Sequence, residues 1–292
     1  MMFTLENKFL RIRVDQLGAE LKGLYSKEQK REYLWQPGHE IWDHSSLILF
    51  PNPARICRDR VIIGGEVYPA TMHGFAYKSN FEVERQTENC LELVLRANEE
   101  TRRYFPYAFR LHVSFRLEGR VLVQQFRVTT EAEETMYFSL GAHPGFYLPL
   151  VLGESGNDYI LHFDRPQNLY QLELQKGTSL LTGKRTIYLE NSSDIPLRED
   201  FFNNGSVLLS DVKANYITLK SEKSGHYMRM GIQNFPYMCL WGNPYKNAMI
   251  CIEPWCGVSD LADTDHVWEK KLGIERVDPG EEFVRTLSYE VG

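Results

Sequence analysis

Apolar and polar residues alternate with a period of two along most of the chain, the pattern of strands that bury one face. "FLRIRVD" (9–15) and "AELKGLYS" (19–26) alternate near the start. "FRLHVSFRLEGRVLVQQFRVTTE" (109–131) alternates on both sides of Glu118-Gly119 and predicts a long hairpin. A second hairpin is predicted at "VIIGGEVYPA" (61–70), with Gly64-Gly65 at its turn. A third crosses Glu88-Asn89, between "FEVERQ" and "CLELVLRAN". The pattern continues through "DYILHFD", "LYQLELQ", "RTIYLEN", "NYITLKSEKSGHYMRMGIQ", "MCLWGN", "MICIEPW" and "EFVRTLSYEV". Helical spacing is scarce. Pro196 to Gly205 predicts one short helix, with proline near its start and glycine at its end, and "VSDLADTDHVW" predicts a further turn.

No linker, composition shift, low-complexity segment or repeat divides these strands. They predict an all-β fold, a large antiparallel β-sandwich formed as a single domain over residues 1–292. The length permits this, because all-β domains often reach such a size. With 43% hydrophobic and 25% charged residues the chain can bury a large core without staples.

Charge and cysteine usage remove several functions. A formal net charge of −6 argues against nucleic acid or an anionic membrane as partner, since phosphate binding needs a concentrated positive field. The clusters Arg55, Arg58, Arg60 and Arg102, Arg103 have acidic neighbours and read as solvated loops. Five cysteines in scattered positions, with no C-x-x-C pair, argue against a disulfide framework or a zinc site. The start lacks an apolar signal core, and no stretch approaches a transmembrane helix in length, so a soluble cytoplasmic protein is expected. G-x-G-x-x-G, G-x-x-x-x-G-K-[ST], H-E-x-x-H and G-x-S-x-G are all missing. Any chemistry is expected to use ordinary side chains, without cofactor or metal.

Four segments place polar residues beside Gly or Pro next to apolar runs: "FPNPAR" with Arg55, "HGFA" with His73, "GAHPGF" with His143 and "CIEPWCG" with Glu253. His143 reads as standing at a strand end, where the backbone turns at Pro144-Gly145. Glu253 reads as the end of an apolar strand, beside Trp255. A carboxylate there either faces solvent or is buried, and burial beside an aromatic raises its pKa into a range useful for acid–base work. Taken singly, His143 and His73 read as structural histidines and Arg55 as a salt-bridging residue. Of the other histidines, His112 lies on the polar face of "RLHVSF" and His162 shares its face with Asp164, while His39, His44, His226 and His266 lie in charged or turn-like stretches; no ligand spacing recurs.

Taken in order, these segments, with "LGAELKGLYS" and "YLWQ" upstream, resemble the aldose 1-epimerase (mutarotase) family, and its LacX-like branch in particular. The resemblance spans essentially the whole chain. It implies a β-supersandwich and interconversion of the α and β anomers of a free sugar. It implies that Glu253 is the general base on the C1 hydroxyl and His143 the general acid on the ring oxygen. It further implies that His73 and Arg55 bind sugar oxygens, and that an aromatic ring from Trp241, Trp255, Phe75 or Phe146 packs on the sugar. One departure stands out. Near Gly205 the family's pattern expects an acidic residue, and "NNGSVLL" has none; Asp200 and Asp211 are the nearest substitutes.

Three other readings stay open at this level. One is a hexose-6-phosphate 1-epimerase, with Arg58 or Arg60 on the phosphate. Another is a non-catalytic carbohydrate-binding module, which would not need a matched acid and base. The last is a glycoside hydrolase or lyase, which would want paired carboxylates.

Overall fold

The computed structural model describes residues 1–37, 41–198, 200–242 and 248–292, with Ala248 in its backbone alone. His39, Glu199 and Asn243, which the sequence reading touches, lie outside these. The N-terminal strands β1 (Met2–Glu6), β2 (Leu10–Asp15), β3 (Glu20–Ser26) and β4 (Arg31–Glu32) form a four-stranded antiparallel sheet. Along β1 and β2 burial alternates residue by residue, as the hydrophobic pattern predicts.

A second sheet has 14 strands. Its path runs from β5 (Ser46–Leu49) through β13 (Leu140–Leu148), β20 (Ala248–Cys256), β19 (Tyr237–Gly242) and β16 (Val207–Ser210) to β14 (Tyr159–Leu174). It continues through β17 (Tyr216–Ser221), β18 (Tyr227–Gly231), β22 (Phe283–Val291), β11 (Val121–Thr130), β10 (Phe109–Glu118), β9 (Cys90–Arg96) and β8 (Glu82–Gln86). β15 (Leu181–Pro196) pairs with β14 off this path. A sheet this long does not stay flat. It folds over so that strands far apart along the path face each other: Phe146 of β13 meets Tyr289 of β22 at 6.3 Å, and Phe50 beside β5 meets Phe109 of β10 at 5.1 Å. These rings belong to one buried cluster that also takes in the inner face of β1–β3, which makes the architecture an antiparallel β-sandwich. Two small ribbons complete it, β6 (Arg60–Ile63) with β7 (Glu66–Pro69), and β12 (Met136–Phe138) with β21 (Glu275–Val277).

The predicted hairpins are present, at Gly64-Gly65, after Glu118 and across Glu88-Asn89. The predicted helix is not. Pro196 ends β15, and residues 200–204 form turns leading to Gly205 at φ +90°; β15 claims the proline that would have opened a helix. "DYILHFD" and "LYQLELQ" are likewise parts of one 16-residue strand, β14, whose register against β15 shifts around Pro166. Proline cannot donate to the ladder, so the irregularity falls where the sequence suggests a break. Among the described residues no helix is long and apolar enough to cross a membrane.

Candidate active site

β13 lies between β5 and β20, and β20 lies between β13 and β19. Both strands are covered on both faces, so their residues are almost all buried. His143 stands in the middle of β13, opposite Leu47 of β5, and not at a strand end. Its neighbours Gly141 and Gly145 point to the same face and have a packing reason. A Cβ at Gly141 would come within 2.6 Å of Trp255, and one at Gly145 within 2.9 Å of Met249 and 3.1 Å of Trp42. The glycines make room for the large side chains around the imidazole. The Gly-x-His-x-Gly spacing therefore signals close packing on a buried strand rather than a turn.

Glu253 is also mid-strand, opposite Cys239 of β19, and is 1% exposed. Its Oε2 lies 3.3 Å from His143 Nε2, without the alignment of a hydrogen bond. Burial pushes the Glu253 carboxyl well above its usual value, and the Cys239 thiol and Trp255 indole only partly oppose this. Burial pushes His143 well below its usual value, assisted by the nearby His73. The two shifts together favour one proton on the pair, residing on the carboxyl.

The pair lies at the bottom of a cleft of about 420 Å³, within the range of small-molecule sites. The Trp42 ring stacks on His143 at 4.7 Å and 23°, and Trp241 meets both rings edge-on at about 6 Å. Trp255 and Trp241 line the cleft, as two of the four aromatic candidates for sugar packing. Phe75 and Phe146 do not; both pack into the hydrophobic core.

His73 reaches the cleft from a tight loop. Gly74, at φ +70°, brings its Cα so close to Phe50 that a Cβ would sit 2.2 Å from the Phe50 carbonyl oxygen, which accepts from Phe75 and Ala76 N–H. His73 itself adopts φ +66°. Its Nδ1 accepts from the Ala54 N–H at 3.1 Å, so in the neutral ring the proton is on Nε2. Burial, then Arg55 and Lys78, lower its pKa to about 4, leaving a neutral donor at ordinary pH.

Arg55 lines the same cleft with its side chain 41% exposed and Asp59 3.6 Å away. Its loop is pinned by Asp260, whose N–H donates to the Arg55 carbonyl and whose carboxylate accepts from Cys57 N–H, each at 3.0 Å. Asp260 in turn pairs with buried Lys271 at 2.9 Å. The structure thus brings all four sequence candidates to one cleft. Arg58 and Arg60 are exposed and are not among its described lining residues. Neither are Asp200 and Asp211; Asp211 bonds Arg185 at 2.9 Å beside a separate groove, and Ser206 and Leu208 are what the "NNGSVLL" stretch contributes.

Sequence reasoning missed Trp42, Tyr77 and His44, which also line the cleft. The loop bearing Trp42 and His44 is held by Glu20 of the "GAEL" stretch. Glu20 accepts from Ser45 N–H at 2.6 Å and Ser46 N–H at 3.2 Å, and pairs with Lys22 at 2.8 Å and His44 at 3.4 Å. Trp35 Nε1 adds a bond to the Trp42 carbonyl at 3.0 Å.

The comparisons with known proteins agree with this architecture. A family model described as aldose 1-epimerase matches residues 1–274. The plasmid-encoded protein LacX of Lactococcus lactis subsp. lactis is 32% identical over 286 residues, covering 96% of this chain and 95% of that protein. A galactose mutarotase related enzyme from Lactobacillus acidophilus superimposes with a TM-score of 0.93 at 30% identity, covering 100% of this chain and 97% of that one. A galactose mutarotase-like protein from Lactobacillus casei gives 0.92 at 28%, with both chains covered completely.

Proposed function

The chain belongs to the aldose 1-epimerase family, and from that premise we propose that it interconverts the α and β anomers of an aldohexose by acid–base ring opening. The observation that carries this reading is the buried His143–Glu253 pair, 3.3 Å apart below aromatic walls. Glu253 takes the C1 hydroxyl proton as the C1–O5 bond breaks. Its electron pair stays on the ring oxygen, which takes a proton from His143, and C1 becomes the aldehyde carbon. Rotation about C1–C2 and the reverse steps give the other anomer. His73 Nε2–H and the Arg55 guanidinium bind sugar oxygens, and the whole chain acts as one domain.

The proton count is conserved throughout. The resting pair, a carboxylic acid beside a neutral imidazole, is the state needed for ring closure: Glu253 gives a proton to the aldehyde oxygen and His143 removes one from the attacking hydroxyl. Opening needs the other tautomer, in which the proton has crossed to the imidazole. Sugar hydroxyls donating to the carboxylate favour that crossing.

The test is exchange NMR between the anomer signals of several aldohexoses and their 6-phosphates, with and without protein. Protein-dependent exchange for at least one sugar is expected. Saturable sugar binding with no added exchange across the panel would replace this reading with a binding module.

A further inference from the structure

The site holds a third group that ring opening does not use. Cys251 is two residues before Glu253 on β20, so both side chains point to the face that His143 occupies on β13. Cys251 is fully buried and is not among the cleft's lining residues; it sits behind the pair, against Gly145. One nitrogen, one sulfur and one carboxylate oxygen from His143, Cys251 and Glu253 all lie within 4.8 Å of one another.

We propose that His143, Cys251 and Glu253 form a binding site for a thiophilic divalent cation such as Zn²⁺, which blocks the site when bound. A tetrahedral ion with bonds of about 2.0–2.3 Å holds its ligands roughly 3.3–3.8 Å apart. The His143–Glu253 nitrogen–oxygen separation is already 3.3 Å, and the 4.8 Å bound on all three ligand atoms leaves at most about 1 Å to close. An independent feature points to the same place: Glu253 Oε2 is buried with no hydrogen-bond partner, which is costly unless something arrives to take it. Imidazole, thiolate and carboxylate are a set that suits zinc, and three protein ligands leave a fourth position for water. The Cys251 thiol and the Glu253 carboxyl each lose a proton to solvent as their bonds to the metal form, and the neutral imidazole of His143 binds as it stands. Bound metal occupies the lone pairs that would accept and return the sugar's protons, so it inhibits. The inhibition rests on the function proposed above; the binding does not.

Two readouts keep these apart. In wild-type protein Co²⁺, as a coloured stand-in, is expected to give a thiolate-to-cobalt absorption band that saturates at one ion per chain. Zn²⁺ is expected to slow anomer exchange by at least about tenfold, with sugar competing. Cys251→Ala should lose the cobalt band, keep wild-type exchange without zinc, and need at least about tenfold more zinc for inhibition. Cys251→Ser, nearly the same size, serves where the alanine variant fails to fold. No cobalt band in the wild type, or a band and zinc sensitivity unchanged in the folded variant, overturns the proposal. A cobalt band in protein that exchanges no anomers keeps the metal site and overturns the epimerase reading.

Discussion

Two buried glutamates show what different surroundings do to the same side chain. Glu20 is 4% exposed and Glu253 is 1% exposed, so both suffer desolvation. For Glu20, burial is opposed by His44, by Lys22 at 2.8 Å and by the Ser45 N–H, and the balance lies below the usual carboxylate value. For Glu253 the opposing groups are only the neutral Cys239 thiol and Trp255 indole, and burial wins. A neutral donor cannot match a Coulomb interaction in a dry site. Glu20 is therefore an ionised clamp that holds the Trp42 loop. Glu253 is left under-solvated, in the setting where acid–base groups are found.

The largest effect expected is on rate. His143→Asn should lower anomer exchange by at least about 10²-fold, the usual scale of one acid–base contribution. Glu253→Gln added to it should cost little more, because the two groups act on one ring-opening event. Multiplying losses would break the pairing. Next in size is stability: Glu20→Ala leaves Lys22 and two backbone N–H groups uncompensated and should cost about 3 kcal/mol in denaturant unfolding. A loss below about 1 kcal/mol would remove Glu20 from its clamping role. Smaller again, Arg55→Ala should raise KM by about tenfold, through a lost charged hydrogen bond, for neutral and phosphorylated sugars alike. Arg58→Ala should change neither, and a selective loss on the phosphorylated sugar would restore the phosphate reading.

The smallest expected response is to pH near neutrality. Below the lowered His143 value both groups carry protons and neither can accept one. Above the raised Glu253 value neither has one to give. The rate should stay level through neutrality, with its acid limb below the ordinary histidine value of 6.5. An acid limb at or above that value would mean that His143 is not desolvated in the working enzyme.

Strands with one wet face were legible because burial follows side-chain alternation, as in β2 and across the β10–β11 hairpin. β13 was not, since both its faces are buried and nothing alternates; its glycines read as turn residues, which puts His143 at a strand end in the sequence pattern. Pro166 splits β14 in two in the sequence pattern, and the 196–205 stretch reads as a helix because local signals ignore the strand pairing that claims Pro196. Arg55, His73, His143 and Glu253 stand out singly as polar residues beside Gly or Pro, but only the family resemblance joins these distant positions into one site. Trp42 carried no spacing signal, because a clamp formed by Glu20, 25 residues from Ser45, positions its loop. The His143, Cys251 and Glu253 set was hidden for a related reason: strand spacing puts residues two apart on one face, while the third member arrives through sheet pairing.

The contrast between the two glutamates can be tested with one atom changed in each. Anomer exchange is measured by NMR in Glu253→Gln and Glu20→Gln at equal concentrations of folded protein, with circular dichroism and unfolding curves on both. The expected result is a fall of at least about 10²-fold in folded Glu253→Gln. In Glu20→Gln the loss should appear mainly as stability, with exchange kept to within about tenfold. Near-wild-type exchange in folded Glu253→Gln, or equal losses in the two variants, would contradict the assignment of Glu253 as the catalytic base.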